Sequence, residues 1–590
     1  MELPIKKVVP ISPPMAIAQI KQIALVKPVA LVAPVERPTA RVSDVIVQTL
    51  EELGVDTFYG IPGGAICPIY DALLDHPSMR IINTRHETGA AFMAMGHSKV
   101  GGTLPCILMT SGPGITNALT GLASAFADGV PMIAIGGEVP RRNFGRGALQ
   151  EGSSSHLDIL GMVRSVTKFS AEISNPRAAA SIIRKAVATA LSGRRGPVFL
   201  SLPLDIANEK VRPMRSATQV STQFALDEET ISEAATALQT SERALILVGS
   251  GARHPEAVRL VGALAATLNI PVCTTPRAKG LFPESDPLSL GVFGFGGHPS
   301  ASHYLDNGID TLIAIGCGLG ETGTNSWSPV LQPSKTFIQI DIDGAQIGKN
   351  YQVDYGLIGP SHLVLRSLVA KVTRRKPTGP SNGGVKYLNP QEMIDDSLPL
   401  KSGRVIRGLQ DICPEDTIFT SDIGEHTIFA LHYLKIDRPD GFLVSTGMGS
   451  MGSGIGAAIG AKVVRPERPV VSICGDYGFQ MGGNELATCV QSNIGVVFAV
   501  FNDARMRMVE SGQSRVFGRS GVMHGPRNDF AAMARAMGAR GLSIRTVADL
   551  EAIPADWLNS DVPLVLDIAL DPKSAFPIHG RVTQMKNFAS

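Results

Sequence analysis

Short apolar runs that alternate with helical stretches are the feature that most constrains how this chain can fold. From Val42 onward, runs of about four to eight apolar residues, such as "PMIAIGG" and "RALILVGSG", are bounded by Gly or Pro and separated by helical patterns. Strands that are apolar on both faces occur in parallel sheets covered by helices on both sides. The sequence therefore predicts an α/β fold built from doubly wound parallel sheets.

The alternation divides into three blocks of similar size, which predict three domains. We assign a Pro-rich N-terminal extension to residues 1–40, a first domain to 41–212, a central Rossmann-like domain to 225–372 and a third domain to 401–590. The linker, at 373–400, contains "RRKPTGPSNGG", whose Pro and Gly residues favour neither helix nor strand. Prolines interrupt the apolar part of the extension, which therefore does not resemble a signal peptide.

The composition argues against two classes of partner. The 590 residues carry a formal net charge of +2 and only 5% aromatic residues, whereas nucleic-acid binding requires a basic surface and stacking side chains. No apolar run reaches the length of about 18–20 residues that a membrane-spanning helix needs. The seven cysteines form no C-x-x-C pair, which favours reduced thiols and a cytoplasmic location. We therefore expect neither a nucleic acid nor a membrane as a partner.

Acidic residues follow the ends of two successive predicted strands in the segment "GDYGFQMGGNELATCVQSNIGVVFAVFND". If these strands are neighbours, Asp476 and Asp503 meet at the carboxyl edge of the sheet, where ligands of such sheets collect. Carboxylates bind Mg²⁺ together with phosphate oxygens, and the helix after Asp476 directs its N–H groups at the same phosphates. The pattern predicts a Mg²⁺–diphosphate site, and its alternative is a pair of ordinary turn-capping acids.

The same segment resembles the thiamine-diphosphate motif, which runs from Gly-Asp-Gly to Asn-Asn. From about Val42 to Asp571 the chain also resembles the acetolactate synthase family, because many separate blocks occur in the family's order. The matching blocks are "GIPGGAICPIYDAL", "RHETGAAFMAMG", "TSGPGITNALTGLASAFADGVPMIAIGGEVP", "ALQEGSSSHLDI", "VTKFS", "GPVFLSLPLDI", "DPLSLGVFGFGG", "IDIDGAQIGKN" and "STGMGSMGSGIGAAIGAK". The resemblance implies that the three domains are a pyrimidine-binding, a central and a diphosphate- and Mg-binding domain.

The resemblance assigns metal and cofactor ligands residue by residue. Asp476 matches the first metal ligand, Asp503 falls where most relatives have the second Asn, and Arg505 would contribute its backbone carbonyl. Glu425 replaces the usual Gln of a loop that touches the diphosphate. The implied cofactor contacts are Pro62, Gly63, Gly64, Glu87, Gly424, Glu425, His426, Gly449, Met451, Gly475, Asp476, Tyr477, Gly478, Asp503 and Met508.

Two residues are implied in catalysis. Glu87, in "RHETGAA", matches the glutamate that hydrogen-bonds the aminopyrimidine ring and favours its imino tautomer, which is acid–base catalysis relayed through the cofactor; its alternative is a helix-starting acid favoured by the helix dipole. Gln150, in "ALQE", matches a glutamine near the substrate, with a surface-loop amide as its alternative. Met451 matches the apolar residue beneath the bent cofactor, with core packing as its alternative.

The implied reaction is decarboxylation of a 2-oxo acid, pyruvate, followed by ligation of the remaining two-carbon unit to a second carbonyl compound. Simple pyruvate decarboxylases carry a His-His pair, which this chain lacks, and Gln150 also favours ligation. The family's tryptophan beside the acceptor falls at Gly512, which leaves the acceptor open. The alternatives are a related biosynthetic carboligase with a different acceptor and a simple 2-oxo acid decarboxylase.

Thiamine diphosphate and Mg²⁺ are the implied cofactors, whereas FAD is doubtful. The stretch "AIGCGLGET" lacks the Arg and paired acids of FAD-binding relatives, and Pro276 and Arg277 replace apolar residues that face the flavin region there. Arg277 is interpreted as a solvated loop cation or, if it points inward, as a partner for a carboxylate or phosphate of an unusual acceptor.

In this family the glutamate-bearing and diphosphate-binding domains of one site come from different subunits. The resemblance therefore implies a homo-oligomer, at least a dimer, with a tetramer and a small regulatory subunit left open. Two other classes were compared with this hypothesis. The presence of Glu87, Asp476 and Asp503 argues against a non-catalytic homologue, and an NAD oxidoreductase would rest only on the Gly249-x-Gly251 turn.

Overall fold

The computed structural model describes residues 39–212, 224–375, 384–521, 523–574 and 576–577. Within these ranges three six-stranded parallel sheets follow one another along the chain, each with helices packed against it. This arrangement confirms the doubly wound α/β fold that the apolar runs predict. Almost all of the predicted extension at 1–40 and part of the predicted linker at 373–400 lie outside the described residues, and the domain boundaries stay predictions.

The first sheet lies between residues 40 and 211. Its elements are β1 (Ala40–Arg41), α1 (Val42–Glu52), β2 (Thr57–Gly60), α2 (Cys67–Leu73), β3 (Arg80–Asn83), α3 (Glu87–Gly101), β4 (Cys106–Met109), α4 (Pro113–Asp128), β5 (Met132–Glu138), α5 (Ile159–Arg164), β6 (Phe169–Glu172), α6 (Ala179–Leu191), β7 (Pro197–Pro203), α7 (Leu204–Asn208) and β8 (Lys210–Val211). The strand order is β3-β2-β4-β5-β7-β6, and β1 pairs with β8 separately. Every residue of β5 and β7 is buried, which explains their continuous apolar sequence.

The central sheet has the strand order β11-β10-β9-β12-β13-β14. Its elements are α8 (Glu228–Thr240), β9 (Ala244–Val248), α9 (Pro255–Leu268), β10 (Val272–Thr274), β11 (Ser289–Val292), α10 (Pro299–Asp306), β12 (Thr311–Ile315), β13 (Thr336–Asp341), β14 (Tyr355–Ile358) and α11 (Ser361–Lys371). Its buried apolar side chains form clusters on the two faces of the sheet.

The third sheet brings together the strands whose ends carry the predicted metal ligands. Its elements are α12 (Ser402–Ile412), β15 (Ile418–Ser421), α13 (Glu425–Tyr433), β16 (Phe442–Val444), α14 (Ser453–Val464), β17 (Val470–Gly475), α15 (Asp476–Gly482), α16 (Leu486–Ser492), β18 (Val497–Asn502), α17 (Arg507–Phe517), α18 (Phe530–Ala536), β19 (Arg540–Ile544), α19 (Val547–Glu551) and β20 (Leu564–Ala569). The order β16-β15-β17-β18-β20-β19 makes β15, β17 and β18 neighbours. Because all pairs are parallel, the turns after these strands share one edge.

Helices α3 and α14 join the first and third sheets through direct backbone contact. A Cβ added at Gly96 would lie 2.0 Å from the carbonyl oxygen of Ala457, and one added at Gly460 would lie 1.9 Å from that of Met93. Gly456 lies against Phe92 near the start of both helices and Gly101 lies against Val464 near their ends, so the two helices run in the same direction. The N-terminal ends of both helices therefore lie at the same end of the interface.

A buried carboxylate connects all three sheet regions. Asp128, at the end of α4, accepts hydrogen bonds from Lys99 (2.9 Å), from Arg277 of the central region (3.1 Å) and from the backbone N–H of Gly447 in the third region (3.0 Å). Its side chain is 1% exposed. Among the described residues, no helix combines the length and the apolar character that crossing a bilayer would require.

Candidate active site

Asp476 and Asp503 lie at the ends of two adjacent strands. Asp476 begins α15 directly after β17, and Asp503 follows the last residue of β18. The carboxylate of Asp476 accepts hydrogen bonds from the N–H groups of Tyr477 (2.8 Å) and Ala504 (2.7 Å). Ala504 has a left-handed φ of 60°. The strand ends therefore meet as the sequence predicts, and one aspartate is bonded to the turn that carries the other.

The electrostatics of this pair favour a cation. Burial, together with the charge of Asp503, raises the pKa of Asp476 to about 6. Burial also raises the pKa of Asp503, and the charge of Arg507 opposes that rise. Asp476 is buried and Asp503 is half-buried, and two carboxylates that repel each other in such a setting are stabilised when a divalent ion binds between them. The residues present therefore fit a magnesium ion.

His426, the second residue of α13, lies against the same edge of the third sheet. A Cβ added at Gly424 would lie 2.6 Å from the His426 ring, and one added at Gly475 would lie 3.2 Å from it. The Nε2 atom of His426 is buried and has no hydrogen-bond partner. Burial lowers the pKa of His426 to about 4, so the ring is neutral near pH 7. An unpartnered ring nitrogen beside two glycines fits a phosphate oxygen.

Glu425 is paired with Arg507, which the sequence interpretation did not identify. Their Oε1 and Nη1 atoms are 2.5 Å apart, and the two side chains are 11% and 9% exposed. Burial raises the pKa of Glu425, and the charge of Arg507 opposes that rise. Glu425, the first residue of α13, is thus paired with Arg507, the first residue of α17.

Asp422, a second residue that sequence reasoning missed, holds the glycine-rich loop that contains Met451. Its buried carboxylate accepts hydrogen bonds from the N–H groups of Gly452 (2.9 Å) and Gly454 (3.1 Å). Burial raises the pKa of Asp422 to about 6, and these N–H groups oppose the rise. Gly449, with a φ of 71°, turns the chain into this loop. Asp422 could have been found from the sequence, because it directly follows β15 just as Asp476 directly follows β17.

Glu87 is the first residue of α3 and is 5% exposed. Its Oε2 accepts a hydrogen bond from Asn117 Nδ2 at 3.0 Å. Glu485, in the third region, accepts hydrogen bonds from the backbone N–H groups of Arg85 (3.0 Å) and His86 (2.9 Å). Asn117 orients the carboxylate of Glu87, and Glu485 fixes the turn that precedes it.

Gln150 and the loop after β2 surround the same end of α4. Gln150 is exposed, has a left-handed φ of 62°, and packs against Gly112. Gly63 packs against the side chain of Thr110, which lies in the turn between β4 and α4. Pro62 and Gly64 are exposed beside it. Glu87 reaches the same turn, since its Oε1 would lie 3.3 Å from a Cβ added at Gly114. The implied pyrimidine-site residues thus form one group.

A pocket of about 520 Å³ opens beside Asp476. Its lining residues are Asp476, Tyr477, Gln480, Gly525, Pro526, Asn528, Asp529, Phe530 and Met533.

The remaining predicted residues of the third region lie around the same loops. Gly478 lies against the carboxylate of Asp422, and Met508 is half-buried in the first turn of α17. The Arg505 side chain extends to Glu510 at 3.4 Å, and its backbone pairs with His524.

The structure forms two separate groups of predicted site residues. One group surrounds Glu87 and Gln150, and the other surrounds Asp476, Asp503 and His426. Among the residues that the structure describes, no hydrogen bond or ion pair joins a member of one group to a member of the other. The described residues of a single chain therefore present two separate groups, each of which is called a half-site below.

Arg277 is partly exposed and forms an ion pair within the protein. Its side chain points inward, but its partner is the chain's own Asp128 rather than an acceptor. Lys279, in the same "TTPRAK" stretch, is buried and lies 2.5 Å from the equally buried Glu284. Both cations of this stretch are thus neutralised by carboxylates of the protein.

A cluster of His254, Glu256 and His362 lies apart from both groups, with donor atoms within 4.8 Å of one another. Two of these three side chains, Glu256 and His254, have hydrogen-bond partners within the protein. Both oxygens of Glu256 accept hydrogen bonds from Arg366, and His254 Nδ1 accepts one from the backbone N–H of Glu256. Stacking of the two histidine rings at 4.0 Å completes a local capping arrangement.

Comparison with known families gives matches in each of the three regions. The family model described as "Thiamine pyrophosphate enzyme, N-terminal TPP binding domain" matches residues 40–159. The corresponding central-domain model matches residues 231–368, and the C-terminal TPP binding domain model matches residues 422–568. The two half-sites lie within the first and the last of these matches.

Curated relatives match along most of the chain. A probable acetolactate synthase large subunit of Methanocaldococcus jannaschii is 35% identical over 566 residues, which cover 92% of this chain and 94% of the relative. Acetolactate synthase isozyme 2 large subunit of Escherichia coli is 31% identical, with 89% and 95% covered. The mitochondrial acetolactate synthase catalytic subunit of Saccharomyces cerevisiae is 30% identical, with 89% and 80% covered.

Proposed function

The chain belongs to the acetolactate synthase family of thiamine pyrophosphate enzymes, and we propose that it decarboxylates pyruvate and joins the two-carbon unit to a second carbonyl compound, with Mg²⁺ as its metal. It is a thiamine-diphosphate-dependent enzyme. The observation that supports the proposal is the arrangement of buried Asp476 and half-buried Asp503, whose charges repel each other, beside the unpartnered His426. A divalent cation between the carboxylates and an anion beside the ring would stabilise that arrangement.

The residues of the third region would hold the metal and the diphosphate. Asp476 and Asp503 would bind Mg²⁺ through carboxylate oxygens, and Arg505 would bind it through its backbone carbonyl. His426 would donate its ring N–H to a phosphate oxygen, and the first N–H groups of α13 point to the same place. Asp422 would hold Met451 beneath the cofactor through the N–H groups of Gly452 and Gly454.

The residues of the first region would move and orient protons. When bound, thiamine diphosphate supplies a carbon nucleophile that adds to the 2-oxo acid carbonyl and an electron sink for the loss of carbon dioxide. Glu87 would share a proton with a ring nitrogen of the pyrimidine, since a buried carboxylate held by Asn117 keeps one fixed orientation. Gln150, which is exposed at the mouth of this group, would donate a hydrogen bond to the substrate.

A homodimer is the simplest way to complete the site. The group of Glu87 and the group of Asp476 are separate within one chain, so the second half-site would come from a partner copy. At least a dimer is therefore proposed, and a tetramer or a small regulatory subunit stays a hypothesis. A cytoplasmic location also stays a prediction.

Product analysis tests the reaction. Purified protein would be incubated with thiamine diphosphate, Mg²⁺ and pyruvate, alone and with a panel of 2-oxo acids and aldehydes, and the products identified by mass spectrometry. We expect pyruvate alone to give acetolactate, since the chain resembles acetolactate synthases at both half-sites. Acetaldehyde without any ligated product would instead support a simple decarboxylase.

A carboligase with a different acceptor is the second candidate. Gly512 lies on α17, at the position where the resemblance implies a tryptophan beside the acceptor. Val509 and Phe517 of the same helix are exposed, at 49% and 68%. A glycine in place of that tryptophan would leave room for a larger acceptor, so ligation of pyruvate to a bulky partner, with no acetolactate from pyruvate alone, would favour this candidate.

A further inference from the structure

Arg507 and Glu425 form a buried ion pair at the edge of the proposed diphosphate site, and Arg507, unlike Glu425, is not among the implied cofactor contacts. We propose that Arg507 is a positioning residue, which holds Glu425 and compensates its negative charge so that the anionic diphosphate can bind beside it. The inference rests on the proposed function, because it concerns the same cofactor site.

The geometry shows that Arg507 acts through Glu425. Its Nη1 lies 2.5 Å from Glu425 Oε1 and 3.3 Å from the carbonyl oxygen of Asp571. Its Nη2 donates to the carbonyl oxygen of Ser574, and its guanidinium lies 5.2 Å from the centroid of the Phe576 ring. These contacts fix the guanidinium, so it cannot turn toward a phosphate without losing several of them.

Three acidic side chains, Asp476, Asp503 and Glu425, lie at the proposed diphosphate site. Asp476 and Asp503 can be satisfied by Mg²⁺, but Glu425 begins α13, where the helix N–H groups would otherwise attract the phosphates. An uncompensated carboxylate at that position would repel the anion. With both side chains about nine-tenths buried, solvent screens the pair little, so the charge of Arg507 is felt strongly.

The chain connects this cation to the metal loop. Arg507 follows Asp503 and Arg505 within the same turn and begins α17, and its charge also stabilises the carboxylate of Asp503. The loop after β18 therefore supplies both a metal ligand and the cation that compensates the neighbouring acid. Arg507 and Glu425 should for that reason depend on each other when cofactor binding is measured.

A double-mutant cycle tests the proposal. Isothermal titration of thiamine diphosphate in the presence of Mg²⁺ would be carried out on the full chain and on R507M, E425Q and E425Q/R507M. We expect the Kd of R507M to rise by about tenfold or more, which corresponds to about 1.4 kcal/mol. E425Q, which removes the acid and leaves the cation, should bind more tightly than the unaltered chain, and the double variant should return to within about threefold of the unaltered chain.

Arg515 provides the matched control. It lies on the same helix, 5.6 Å from the same Phe576 ring, and it is exposed. R515M removes an equal charge without touching Glu425, so its Kd should stay within about twofold. If R507M does not fold, the Kd of E425Q/R507M is compared with the Kd of E425Q instead. R507K keeps the charge and should bind thiamine diphosphate nearly as well as the unaltered chain.

Three results decide between the proposals. Unchanged binding by R507M overturns the role of Arg507. If folded E425Q/R507M binds as weakly as R507M, Arg507 does not act through Glu425. The same conclusion follows if E425Q/R507M binds much more weakly than E425Q. If the unaltered chain takes up no thiamine diphosphate, the proposed function itself falls.

Discussion

At Asp476, burial and charge oppose ionisation until a cation is present. The residue is 5% exposed and faces the charge of Asp503. Both of its oxygens accept backbone N–H bonds, so the carboxylate keeps its position in either protonation state. A proton and a divalent metal therefore compete for one fixed set of oxygens.

We expect the affinity for thiamine diphosphate with Mg²⁺ to depend on pH through this residue. The pKa of Asp476 is raised to about 6, so below that value the metal must displace a proton. Affinity should fall about tenfold for each pH unit below about 6 and level off above it. Calorimetry between about pH 5 and 8 measures this. D476N should bind weakly with no such slope, and a flat profile in the unaltered chain would contradict the expectation.

Individual ligands could be predicted from sequence only where a local pattern marks them. Asp476 and Asp503 follow apolar strands, and that periodicity indicates which edge they share. Arg507 carries no such mark, because its role comes from contact with Glu425, which lies on another strand's loop. Asn117 is similar: an Asn inside a helix gives no sign that it faces Glu87. Side-chain partners between distant segments require the fold.

At the scale of elements, the contact of α3 with α14 shows how small residues bring two sheets together. Gly96 and Gly460 let each backbone approach the other within van der Waals distance. This close approach aligns the helix starts, at Glu87 and at the loop that carries Met451. Any side chain added in the interface would separate them.

We therefore expect G460A to destabilise the protein strongly. Its Cβ would lie 1.9 Å from the carbonyl oxygen of Met93, which cannot move without shifting α3. The cost should be at least about 2 kcal/mol, seen as a lower Tm in a thermal scan. G262A is the control: it lies within α9 with no atom within 4 Å of the added Cβ, and replacing a helical glycine there should raise the Tm slightly. Equal effects of the two changes would refute the argument.

Strands at the edges of the sheets give weaker sequence patterns than strands in the middle of a sheet. β6, β11, β14 and β19 each have a single strand neighbour. Three of them, β6, β14 and β19, are only partly buried and so lack the continuous apolar run of β5 or β18. An edge strand is defined by its pairing with the adjacent strand, which a local window of sequence does not contain. Central strands, by contrast, were recognised from their burial on two faces.

At the scale of the whole molecule, Asp128 is the point where the three regions are held together. It bonds to Lys99 on α3, to Arg277 in the central region and to the backbone of Gly447. The sequence identified Arg277 as unusual but could not indicate its partner, because Asp128 belongs to another domain. Such a contact follows from domain packing rather than from any local motif.

Removing Asp128 should weaken the packing of all three regions. D128A leaves Lys99 and Arg277 in a poorly solvated site without their carboxylate, a loss of about 3 kcal/mol or more. Thermal unfolding at matched scan rates should show a Tm lower by several degrees. D411A is the control, since Asp411 pairs with Arg407 on the surface, with both side chains about half exposed, and its change should stay within about 0.5 kcal/mol. A Tm unaffected by D128A would exclude this role.

Complementation between subunits tests whether one active site draws on two chains. E87Q and D476A should each be inactive alone, because each removes one half-site. If a dimer pairs the Glu87 group of one copy with the Asp476 group of the other, a mixed dimer keeps one intact site. Random pairing of the two variants should then restore about one quarter of the activity. If both half-sites act within one chain, the mixed dimers have no intact site, and the co-expressed variants stay as inactive as either alone.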